Sequence, residues 1–132
     1  MKRKKLTASM IALVMSVSLP MTTYAANWYL ENGSVTVNAD NSGQTVTQGS
    51  SSAVPDEAPV ITQRESSVET GNTIAISTSD NAAANVTIKD INIKSSNDAI
   101  DVKGSSSANI TLEGDNKIFS ETGSALHVSD GN

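Results

Sequence analysis

The chain has 132 residues, no cysteine, one histidine, one tryptophan and one phenylalanine, and it carries a formal charge of −5 at pH 7. Four of its nine cations are Lys2, Arg3, Lys4 and Lys5, and all fourteen acids lie from Glu31 onward, so the chain from Ala26 keeps five cations against fourteen acids, a net charge of −9. That balance excludes nucleic-acid binding by phosphate neutralisation, and the lack of cysteine excludes a disulfide framework, a thiolate metal site and a cysteine nucleophile.

Residues 1–25 read as a secretory signal peptide. The basic start is followed by an apolar run, Leu6 to Leu19, closed by Pro20, and Thr23-Tyr24-Ala25 places small residues before a cut that leaves Ala26 first. The run is too short for a bilayer, which takes roughly 20 apolar residues. Export and cleavage are therefore expected over an uncleaved anchor, with the product secreted or held at the cell surface. No membrane span is expected after cleavage.

From Ala26 the chain is rich in Ser, Thr, Asn and Gly and poor in aromatic residues. Such a composition suits disorder unless a pattern opposes it. The opposing pattern is short β-type alternation between turn residues. Residues 26–70 form an N-terminal capping β segment, with strands near 34–38 and 44–48, a loop at 49–59, and Val60-Ile61-Thr62-Gln63 echoing Val46-Thr47-Gln48. Trp28, next to Leu30, is expected as a lid on the core; the alternative is an exposed ring that stacks on a sugar.

Residues 71–132 are expected to repeat. Asn85-Val86-Thr87-Ile88-Lys89 matches Asn109-Ile110-Thr111-Leu112-Glu113 at a spacing of 24, and Ala99-Ile100-Asp101-Val102 matches Ala125-Leu126-His127-Val128 at 26. A period near 25 with several short strands predicts an all-β right-handed parallel β-helix, a β-solenoid whose coils stack about 4.8 Å apart. Ile74, Ile100 and Leu126 should form one inward column and Ile76, Val102 and Val128 another. Val86 over Ile110 and Ile88 over Leu112 make two more. Asn85 and Asn109 should stack at a turn, which explains these sequons better than sugar attachment does. The periodic part covers barely two and a half turns and stops at a turn-like Ser129-Asp130-Gly131-Asn132, so truncated C-terminal coils of a longer protein are expected. The open end should invite self-association.

Trp28-x-Leu30 with Gly33-Ser34-Val35-Thr36-Val37, then Val46-Thr47-Gln48-Gly49, Ala58-Pro59-Val60-Ile61-Thr62-Gln63 and the Asn-Val-Thr-Ile and Ala-Ile-Asp-Val repeats carry a resemblance. They resemble secreted β-helix surface proteins of Gram-positive gut bacteria described as carbohydrate-binding domain-containing. These are similar to a clostridial family of right-handed β-helices that bind calcium and polygalacturonate. The resemblance implies a non-catalytic module that binds a polysaccharide or a host or cell-surface glycan, with calcium as its one implied cofactor. A structural stalk or adhesin segment is the alternative, and a pectin-degrading β-helix enzyme a weaker one.

The residues themselves offer little for catalysis. Arg64 is the only arginine from Ala26 onward and His127 the only histidine. His127 falls one repeat above Asp101, most simply as a surface cross-strand pair. Asp90, Asp98, Asp101 and Asp115 are the calcium candidates, although their spacing matches no calcium-loop pattern. At −9 the chain repels a polyanion, so pectin would need a bridging cation.

Overall fold

A computed structural model describes residues 25–130. The expected signal peptide, Ala25 apart, and the last two residues of the turn-like ending lie outside them. The described residues hold twelve strands, in chain order β1 (Asn27–Tyr29), β2 (Val35–Asp40), β3 (Gly43–Gln48), β4 (Val54–Pro55), β5 (Val60–Thr62), β6 (Ile74–Thr78), β7 (Ala84–Lys89), β8 (Asn92–Ser95), β9 (Ile100–Gly104), β10 (Ala108–Glu113), β11 (Lys117–Ser120) and β12 (Leu126–Ser129). One 3-10 turn, Leu30–Asn32, follows β1.

The strands make three sheets, ordered β1-β5-β7-β10, β11-β8 and β12-β9-β6-β2-β3-β4. This corrects the expected right-handed parallel β-helix. The sheets mix parallel and antiparallel pairing, and no closed solenoid forms among the described residues. The departure begins at Asn41-Ser42, a two-residue hairpin loop that turns β2 back on itself as β3. Asp40 fixes this turn, its Oδ1 accepting from the Ser42 amide at 2.8 Å and the Ser42 hydroxyl at 2.5 Å. Such local bonding is what Asp and Ser supply at reversals. β3 then pairs antiparallel with both β2 and β4. Repetition along a chain fixes which strands are neighbours, and leaves open how the sheets close.

The neighbour assignments themselves are observed. Ile74 lies beside Ile100 and Ile100 beside Leu126, with Ile76, Val102 and Val128 in the parallel column. Val86 pairs with Ile110 and Ile88 with Leu112. The columns also reach into residues 26–70, because Val35 and Val37 pair with Ile74 and Ile76, and Ile61 pairs with Ile88. The capping segment therefore shares sheets with the later strands. Asn85 and Asn109 stand inside β7 and β10, not at a turn, and Asn109 Nδ2 donates to Asn85 Oδ1 at 2.9 Å.

The core is aliphatic. Val35, Val37, Ile61, Ile76, Ile88 and Ile91 are wholly buried, and each contributes about 1.5–3 kcal/mol by leaving water. Three glutamines join the sheets. Gln44, only 2% exposed, donates from Nε2 to the carbonyls of Asp56 and Asn85 and accepts the Asn85 amide, so its side chain is fully paired. Gln48 donates to the carbonyls of Tyr29 and Gly33, and Gln63 accepts the Asn92 amide at the start of β8 while donating to the carbonyls of Glu65 and Val68. Gly104 has a φ of 133°, and a Cβ there would collide with the Thr78 carbonyl, so glycine is required where β9 ends.

Candidate functional site

His127 lies on β12, directly in register with Asp101 on β9, and outward-facing residues of parallel neighbours stack on one another. Its Nδ1 donates to Asp101 Oδ1 at 2.9 Å and lies 3.5 Å from Asp98 Oδ2, which reaches in from the loop before β9. Ligand atoms of the three residues all fall within 4.8 Å of one another. Each carboxylate has its other oxygen engaged elsewhere. Asp98 Oδ1 accepts the Ser124 amide at 2.7 Å, and Asp101 Oδ2 faces Lys103 Nζ at 3.2 Å.

The charges in the group adjust accordingly. The hydrogen bond to Asp101, then the nearby Asp98 charge, holds the His127 pKa above its ordinary 6.5, against slight desolvation and Lys103. The same hydrogen bond holds Asp101 below the usual carboxylate range, helped by Lys103. Among the described residues this is the one group of three or more potential metal ligands drawn from His, Asp and Glu.

The other two calcium candidates stand apart from it. Asp90 Oδ1 accepts the Asp115 amide at 2.9 Å, and the carboxylate rests against Gly114, where φ is 70° and a Cβ would collide with it. Asp115 faces Lys117 at 3.4 Å. Asp90 thus ties the turn after β7 to the turn after β10. The structure brings together Asp98 and Asp101, adds His127, gives the Asp90 carboxylate a backbone task and leaves Asp115 beside Lys117.

Trp28 is half-buried and packs against the core, as a lid should. Its Nε1 donates to Asp56 Oδ2 at 2.8 Å, and the Ala26 and Ala58 amides bond the same carboxylate. Asp56 is 2% exposed. An indole with its N–H bound and one side in the core offers little to a sugar. Tyr29 is also engaged, with the Arg64 guanidinium carbon 3.8 Å from its ring centroid. Glu31 Oε1 takes the Arg64 and Glu65 amides at 2.7 and 3.0 Å. Sequence reasoning missed Asp56, and its position in a Pro-Asp-Glu loop gives no hint that the chain folds back over it.

The last strands present a different surface. Leu112, Phe119, Leu126 and Val128 are between 53% and 68% exposed. An apolar recess of about 300 Å³ opens there, lined by Ile100, Ile110, Leu112, Ile118, Ala125 and Leu126. Among the described residues, no helix is long and apolar enough to cross a membrane. Comparison with family models, with curated proteins and with solved structures finds no match to this chain.

Proposed function

We propose that the chain is a non-catalytic structural segment of an exported or cell-surface protein, a stalk or adhesin piece that supplies length and a polar face. The observation that carries this reading is the in-register succession of β2, β6, β9 and β12, each paired in parallel with the next. Length is gained there by repeating one strand, with the aliphatic residues on one side, buried in β2, β6 and β9 and still exposed in β12. The engagement of Trp28 by Asp56 and of Tyr29 by Arg64 favours a structural part over a sugar-stacking site.

A second reading is a polysaccharide-binding module. It is favoured by the outward row in which Asn109 lies over Asn85 and Thr111 over Thr87, amides and hydroxyls at a regular spacing. An acidic glycan would reach such a face only through a bridging cation such as calcium, given the net −9 from Ala26 onward.

Passing the full chain over pectin, cellulose and xylan columns, with calcium and then with chelator, separates these readings. The stalk reading expects no retention on any of them. Chelator-sensitive retention on pectin, or retention on a neutral glycan, would replace it with the binding module. Sugar release from pectin would replace both with an enzyme.

A further inference from the structure

We propose that Asp98, Asp101 and His127 bind a divalent transition ion of the zinc class, which clamps the terminal strand β12 onto β9. Two of the donors, Asp98 and Asp101, lie three residues apart at the start of β9, and the third, His127, comes from β12 and brings its ligand atom within 4.8 Å of theirs. Bonds of about 2.0–2.2 Å from such an ion to imidazole nitrogen and carboxylate oxygen put tetrahedral ligand atoms roughly 3.3 Å apart. His127 Nδ1 lies 2.9 Å from Asp101 Oδ1 and 3.5 Å from Asp98 Oδ2, close to that spacing before any ion enters, and the ion would replace the Nδ1 proton, which leaves to solvent while Nε2 keeps its own.

The orientation of each ligand is fixed from outside the group. The Ser124 amide holds Asp98 Oδ1, leaving Oδ2 turned toward His127. Gly123 leaves the room this carboxylate needs, since a Cβ there would press on Asp98 Oδ1. Lys103 takes Asp101 Oδ2, leaving Oδ1 for the same point. The Lys103 charge opposes a cation, but it lies on the far oxygen and its side chain is 56% exposed, where water screens it.

The donor set selects the ion. Calcium takes 6–8 oxygens, and this group offers two carboxylates and a nitrogen. Imidazole beside carboxylate suits zinc, copper or nickel. Three protein ligands leave a fourth position for water. The benefit falls on β12, whose Leu126 and Val128 are 53% and 68% exposed and so hold the strand weakly by packing. This inference does not depend on either reading of the chain's wider function.

The test is a zinc chloride titration of the folded full chain at pH 8, followed by calorimetry and by NMR of the imidazole, which is unambiguous because the chain has one histidine. One zinc per chain is expected, with the His127 ring signals moving in step with saturation and amide exchange in β12 slowing. His127→Gln and Asp98→Asn should each weaken binding by roughly tenfold or more, since even outer-sphere partners of metal ligands account for that much. Both positions are at least partly exposed, so the variants keep the core, and circular dichroism checks that they do. Calcium should leave the His127 signals unmoved. No saturable zinc binding, or binding that survives in His127→Gln, would overturn the proposal.

Discussion

β6 and β12 carry nearly the same inward pair, Ile74 and Ile76 in one and Leu126 and Val128 in the other, yet they occupy opposite situations. β6 is covered on both edges, by β2 and β9, and its two isoleucines are no more than 1% exposed. Among the described residues β12 pairs with β9 alone, and its Leu126 and Val128 are more than half exposed. The side chains are alike, so the difference lies in what stacks above them. A repeat residue is stabilising only to the extent that a neighbour takes it out of water. The end strand leans instead on the polar tie between His127 and Asp101.

Breaking the covered side should have the largest effect. Ile76→Ala opens a cavity between Val37 and Val102 and should lower stability by roughly 2–5 kcal/mol in denaturant unfolding. Next comes Asp56→Ala, which strips the acceptor from the Trp28 indole and from the Ala26 and Ala58 amides. Its cost should be about 1–3 kcal/mol, with a red-shifted Trp28 fluorescence as the lid loosens. Gly104→Ala forces a side chain into a left-handed backbone against Thr78 and should cost on the order of 1–3 kcal/mol.

On the uncovered side the effects should be small and tuned by pH. His127 has a raised pKa, so its contribution is complete below its ordinary 6.5 and fades as pH rises through the raised value. Asp101 has a lowered pKa, so its contribution is present above its ordinary 3.8 and fades as pH falls through the lowered value. Without added metal, β12 should therefore be held best on the acid side of neutrality. NMR titration of His127 should give a pKa above 6.5, falling in Asp101→Asn. Val128→Ala should change stability least, within about 0.5 kcal/mol, because the side chain is already in water.

The columns from Ile74 to Val128 were legible because their spacings of 24 to 26 survive small changes in the turns. The same rule failed at the front. Val35 pairs with Ile74 and Ile61 with Ile88, so one column begins 39 residues upstream and the other 27, and no single period joins them. The hairpin at Asn41-Ser42 accounts for much of the first interval, and it is also what makes the sheet mixed. Asp101 and His127 were legible as a pair because both lie on strands in register. Asp98 carries no such signal in the sequence, since its place is set by a loop and by the Ser124 amide rather than by strand period. Gln44 and Asp56 left no periodic trace, as each satisfies backbone groups brought near by the fold alone.

Residue-resolved amide exchange on the folded chain tests the contrast between covered and uncovered repeats most directly. Protection should be greatest across Ile74–Thr78, intermediate across Ile100–Gly104, and least across Leu126–Ser129. Equal protection in all three strands, or none in any, would contradict a stack held by what covers each repeat.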